Sequence, residues 1–184
     1  MHLLAGDAPP PSATEPAQRG PALAASAAPV ATPEVAALAA FVGRWVGAGA
    51  GEYPTIDGFA YTEELELRPV PGKPLLAYRS TTAAVEDGRA LHGEQGFVRL
   101  LAGGTVELVV AHGFGVVEVA EGLVDGDELV LASTAMAGTA TAKDVVAVER
   151  RYRVEGDTLA YEVAMAAVGE PLTHHLRARL TRQG

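Results

Sequence analysis

The chain has 184 residues, 48% of them hydrophobic but only 5% aromatic, and a formal net charge of −9. That composition supports one core built mainly from Val, Leu and Ala, and argues against nucleic-acid or anionic-membrane partners, since no basic run is present. Cysteine is absent, which removes disulfides, thiolate chemistry and Cys-based zinc or iron–sulfur sites and fits a reducing, cytoplasmic setting.

Residues 1–32 are Ala, Pro, Ser and Gly with scattered charge and no lasting period, so a disordered tail is expected there. Met1-His-Leu-Leu-Ala lacks the basic start and apolar length of a signal peptide, and no stretch is long and apolar enough to cross a bilayer. Thr32-Pro33-Glu34 reads as a helix start, with Thr32 as cap and Pro33 in the first turn. Val35, Leu38, Ala39 and Val42 then fall on one helical face, which predicts a short helix leading to Gly43.

From Gly43 onward the period is two. Strands are expected over roughly 44–52, 59–68, 74–84, 90–101, 104–111, 115–124, 127–135, 144–154, 157–167 and 172–182. Asp87-Gly88, Gly103-Gly104, Asp125-Gly126, Gly156-Asp157 and Gly169-Glu170 supply turn chemistry between them. Tight links make neighbours antiparallel, and about ten strands in up-and-down order close on themselves to remove their edges. The expected fold is therefore all-β: a ten-stranded antiparallel up-and-down barrel, preceded by the short helix and occupying 33–184. A barrel of this size is wide enough to leave a pocket. Residues 136–143 read as a loop near its mouth.

The first strand carries the most unusual pattern. Gly43 precedes the single Trp45, and Gly47, Gly49 and Gly51 alternate between it and Tyr53-Pro54. Alternate glycines leave one face bare, so something bulky is expected against that backbone, either a neighbouring strand or a flat ligand. No helix follows and no Gly-Lys-Ser/Thr closes the run, which excludes dinucleotide and P-loop readings.

Five histidines are the side chains best suited to metal work besides carboxylates. His2 lies in the tail; His92 sits in Leu91-His92-Gly93-Glu94; His112 precedes Gly113; His174 and His175 are adjacent on the last strand. Neighbours on a strand face opposite ways, so this pair is not a chelate. Alternation alone puts His174 inward with Leu176, Ala178 and Leu180, unless a bulge or the barrel mouth reverses it. No nucleophile elbow accompanies Ser80 or Ser133. Glu63, Glu64 and Glu66 read as a solvated face, and Lys143 as a surface charge that could pair with a ligand carboxylate at a pocket mouth.

Together these segments resemble the nitrobindin family of haem-binding β-barrels. The motif Gly-x-Trp-x-Gly-x-Gly-x-Gly-x-Tyr-Pro-Thr-Ile is complete at 43–56. Gly72-Lys73-Pro74, Leu91-His92-Gly93-Glu94-Gln95-Gly96, Thr141-Ala-Lys143-Asp144-Val145, Met165 to Leu172 and His175-Leu176 follow in the family's order. The resemblance spans about residues 34–182 and implies a squat barrel, like a fatty-acid-binding protein, holding one haem b near its mouth. It implies His175 as the axial ligand of the iron, against the alternation argument. It also implies His92 near the distal side, Lys143 near a propionate, Thr55 close to the haem, and Leu91, Met165 and Val168 shaping the pocket. Gly47 and Gly49 would give close backbone approach. The implied activity is conversion of peroxynitrite to nitrate, with nitric oxide binding at the ferric iron; the partners are small molecules, and the chain a monomer or homodimer. Two other readings stay open. One is a haem-free barrel for a fatty acid or other apolar ligand, with Arg177 and Arg179 as a carboxylate clamp. The other is a haem carrier or sensor without turnover.

Overall fold

In a computed structural model of the chain, residues 33–184 are described; the expected tail, with His2 and the Thr32 cap, lies outside the described residues. Ten strands follow the period-two patterning: β1 (Gly43–Tyr53), β2 (Ile56–Pro69), β3 (Leu75–Ala84), β4 (Ala90–Leu100), β5 (Thr105–His112), β6 (Val116–Asp125), β7 (Glu128–Gly138), β8 (Val145–Glu155), β9 (Thr158–Ala167) and β10 (Thr173–Gln183). Every strand pairs antiparallel with its sequence neighbours, and β1 pairs β10, so the sheet closes. The ten-stranded antiparallel barrel expected from the turn spacing is thus the fold. Two boundaries differ by more than one residue: β2 starts at Ile56, and β7 runs on through Gly138, so the expected loop at 136–143 shrinks to the segment before Val145.

Closure needs β1 to lie unusually close to its neighbours, and its glycines permit this. A Cβ on Gly47 would stand 2.2 Å from the Arg179 carbonyl oxygen of β10, and one on Gly49 would stand 2.3 Å from Tyr61 Cζ. A Cβ on Gly51 would meet Phe59 Cζ at 2.3 Å. The bare face is therefore filled by the chain itself, by the β10 backbone and by two aromatic rings of β2.

The helix before β1 is a 3₁₀ helix, Pro33–Phe41, with non-helical backbone at Val35. Three residues per turn bury Val35, Leu38 and Phe41, so Phe41 packs where an α-helical period would have placed Ala39, which is exposed. This helix closes one end of the barrel. Trp45 Nε1 donates to the Phe41 carbonyl at 2.9 Å. The Arg182 guanidinium lies 4.0 Å from the Trp45 ring and donates to the carbonyls of Ala40 and Val42. That stacking contributes about 0.5–1 kcal/mol. Among the described residues the other end has no such cap. The β1–β2, β3–β4, β5–β6, β7–β8 and β9–β10 turns surround it. No described helix is long and apolar enough to cross a membrane.

Candidate functional site

The open rim gathers the ends of strands far apart in sequence. Thr55 lies in the β1–β2 turn, Leu91 and His92 at the start of β4, Lys143 before β8, Met165 near the end of β9 and His175 near the start of β10. Thr55 and Lys143 are exposed, Leu91, His92, Met165 and His175 partly buried. Val168 sits in the β9–β10 turn with φ of +50°, and its N–H donates to the Asp144 carbonyl at 2.8 Å. Gly47 and Gly49 lie deeper in the wall, paired with Leu180 and Ala178 of β10, and their bare faces are already covered.

A bulge decides how the histidine pair is presented. Thr173 pairs Met165 and His174 pairs Ala164, but Leu176 pairs Val163, so His175 is an extra residue with no partner on β9. Residues directly opposed across a sheet share a face. Val163 is buried, so Leu176 points inward; Ala164 lies on the opposite face, and His174 with it. The alternation that put His174 inward fails because it counts through this extra residue.

His175 then leans on the β1–β2 hairpin. Its ring meets Tyr53 edge-on at 5.3 Å and Phe59 at 6.4 Å between centroids. Its Nδ1 is 3.0 Å from the Glu52 carbonyl oxygen. A carbonyl only accepts, so Nδ1 carries the proton and Nε2 presents a lone pair. Burial lowers the His175 pKa below its ordinary value, outweighing the Glu52 contact, which favours the cation. Tyr53 fixes the hairpin from below: its hydroxyl accepts from the Ala167 N–H at 2.9 Å and lies 3.1 Å from the Met165 carbonyl, reaching β9 beneath β10.

The wall also opens between β7 and β8. The two pair only over Glu128–Ala132 with Glu149–Arg153. Beyond that they part, leaving a cleft of about 490 Å³ lined by Met136, Ser133, Val145 and Lys143 among others.

The interior carries buried polar and charged side chains beside its apolar ones. Glu63, read as part of a solvated face with Glu64 and Glu66, points inward instead and is 5% exposed. It shares register with Tyr61, Leu65 and Leu67, accepts from Ser80 Oγ at 2.7 Å, and accepts from the Tyr161 hydroxyl. Burial raises its pKa despite those donors. A second network surrounds Arg150. Its guanidinium donates to both oxygens of Glu94, at 3.0 Å each, and to Glu118 at 2.7 and 3.1 Å. Burial alone would raise the pKa values of Glu94 and Glu118; Arg150 and hydrogen bonds reverse this and hold both below the ordinary carboxylate value. Tyr78 donates to Glu94 at 2.7 Å, and His92 and His112 complete the cluster.

Each of these polar residues keeps step with apolar inward neighbours: Glu94 with Val98, Glu118 with Ala120, Arg150 with Val148 and Tyr152. That in-register polarity was the available sequence signal. Arg177 and Arg179, considered as a carboxylate clamp, are exposed on the outer face, alternating with buried Ala178 and Leu180.

Comparison with known proteins agrees with this architecture. A protein of Mycobacterium ulcerans (strain Agy99) named peroxynitrite isomerase 2 is 47% identical over 155 residues, covering 82% of this chain and 96% of that protein. One of Nocardia farcinica (strain IFM 10152) named peroxynitrite isomerase is 46% identical, covering 82% and 91%. The crystal structure of Rv2717c from M. tuberculosis superposes with a TM-score of 0.77 at 44% identity, covering 83% of this chain and 99% of that one. Residues 34–182 match the family described as THAP4-like, heme-binding beta-barrel domain. With its closed ten-stranded barrel, open rim and bulged histidine, the chain belongs to this family of haem-binding β-barrels.

Proposed function

We propose that this chain holds one haem b at its open rim with His175 as the axial ligand of the iron, isomerises peroxynitrite to nitrate there, and binds nitric oxide at the same iron. The observation that carries this reading is the protonation pattern of His175. The Glu52 carbonyl claims the Nδ1 proton, which leaves Nε2 as a donor of the kind haem iron takes. The lowered pKa keeps that lone pair available near neutral pH.

The other residues fit the same group. Tyr53 and Phe59 stop the imidazole from rotating, because both rings abut it. Leu91 and Met165 offer apolar surface packed against the core. Thr55 and the exposed Lys143 stand at the rim where an acidic edge of the ligand would meet solvent, Lys143 as the cation for a propionate. His92 supplies a polar group at the start of β4. Gly47 and Gly49 act deeper in the wall, letting Tyr61 and β10 lie against β1. When bound, the haem supplies an iron centre at which ONOO⁻ rearranges to NO₃⁻ with no change in atoms or charge. The names of the mycobacterial and nocardial relatives support that reaction for this chain.

The test is haem titration of the full chain followed by stopped-flow peroxynitrite decay with nitrate quantified. One haem per chain, a Soret band that shifts with nitric oxide, and decay accelerated in proportion to loaded protein are expected. Saturable haem binding with decay no faster than without protein would make this a haem carrier or sensor. A spectrum identical to free haem would remove the cofactor.

A further inference from the structure

His92 and Glu94 are two residues apart on β4 and share a face, and His112 on β5 is the direct cross-strand partner of Glu94. Three donor atoms converge as a result. His92 Nε2 lies 3.2 Å from His112 Nδ1 and 3.3 Å from Glu94 Oε1, and His112 Nδ1 lies 3.4 Å from Glu94 Oε1. This near-equilateral triangle has the dimensions of one face of a metal tetrahedron. Bonds of about 2.0–2.1 Å from zinc to nitrogen and oxygen set tetrahedral ligands about 3.3–3.4 Å apart. The same bonds in an octahedron would set adjacent ligands about 2.8–3.0 Å apart.

Within the triangle one proton, on His92 Nε2, serves two acceptors, His112 Nδ1 at 3.2 Å and Glu94 Oε1 at 3.3 Å. His112 Nε2 faces Glu118 Oε2 at 3.2 Å, and an ionised carboxylate only accepts, so Nε2 bears the proton. In the neutral ring Nδ1 is then an acceptor, and it shares the single His92 Nε2 proton with Glu94 Oε1. The charge is unbalanced as well. Glu94 and Glu118 share a single guanidinium, Arg150, so with neutral imidazoles this buried cluster is one positive charge short. The surroundings are those that orient metal ligands. Glu118 stands behind His112, while Arg150 and Tyr78 stand behind Glu94.

We propose that His92, Glu94 and His112 form a tetrahedral site for one divalent transition-metal ion of the zinc class, with its fourth position open to water. The site shares His92 with the residues proposed around the haem but leaves out His175, the residue that would hold the iron. A proton on His112 is the rival occupant, since it also restores charge balance.

Equilibrium dialysis of the haem-loaded full chain against Zn²⁺, with metals counted by mass spectrometry, decides between them. One zinc per chain beyond the haem iron is expected. His92→Ala, at a side chain 27% exposed, should leave the circular dichroism unchanged and weaken zinc binding at least tenfold. Glu118→Gln should weaken it about 10–100-fold through His112. His175→Ala should lose haem and keep zinc. If His112→Ala fails to fold, His92→Ala carries the test alone. Substoichiometric zinc, or zinc affinity unchanged in His92→Ala, overturns the proposal. So does a nitrogen-detected NMR spectrum in which His112 is an imidazolium that excess zinc does not alter.

Discussion

Replacing Gly49 with alanine probes why β1 alternates glycine. The new Cβ would stand 2.3 Å from Tyr61 Cζ, 2.5 Å from its hydroxyl oxygen and 2.6 Å from the Arg177 carbonyl oxygen. Ordinary contact needs more than about 3.4 Å, so ring and backbone must both retreat by about an ångström. Tyr61 is not free to retreat, because its hydroxyl is 2.7 Å from that of Tyr161, which in turn donates to buried Glu63. Overpacking costs about 1–3 kcal/mol, and the displaced buried hydrogen bond about 0.5–1.5 kcal/mol more. The expected loss is therefore roughly 2–4 kcal/mol, or a melting temperature lower by about 5–15 °C for a chain of this length. Gly58→Ala is the internal control, since its Cβ would find nothing nearer than 3.7 Å. It should change stability by less than about 0.5 kcal/mol. Urea unfolding of wild type and both variants measures these differences. Equal stability of Gly49→Ala and Gly58→Ala would refute the steric account of the glycine pattern.

Three other outcomes are expected. Arg150→Met leaves two buried carboxylates without their cation and should cost about 3–5 kcal/mol in urea unfolding, with Arg150→Lys intermediate; a loss under about 1 kcal/mol would show that the guanidinium is not holding them. Glu63 binds its proton more tightly folded than unfolded, so its contribution is present below the ordinary carboxylate pKa and is lost as pH rises through the raised folded value. Glu63→Gln should therefore gain on wild type as pH rises above the ordinary carboxylate pKa, and parallel stability–pH profiles would contradict this. His175→Ala should abolish the Soret band of the haem-titrated chain while the barrel stays folded, and His174→Ala should be mild; the reverse result would mean that the extra residue of the bulge is not the ligand.

Strand number, pairing order and closure were legible from local chemistry. Gly-containing turns at regular spacing leave antiparallel neighbours no choice of partner, and a sheet of ten strands removes its edges by closing. The glycine run was legible for another reason, as part of a long ordered motif, and the order of the same motifs is what proposes His175. Alternation by itself erred at His174, because register is a property of two strands, and no single strand reveals where its partner skips a residue.

The sequence by itself thus determined the barrel and the bare face of β1, and it singled out His175 as the proposed ligand. Tertiary structure decided what covers that bare face, Tyr61, Phe59 and the β10 backbone, because those atoms arrive from other strands. It also decided that Glu63 is an interior group and that Glu94, His92, His112, Glu118 and Arg150 meet. Residues 92 and 150 lie far apart along the chain, and only the closed sheet brings them to one interior, where burial makes an unpaired charge costly.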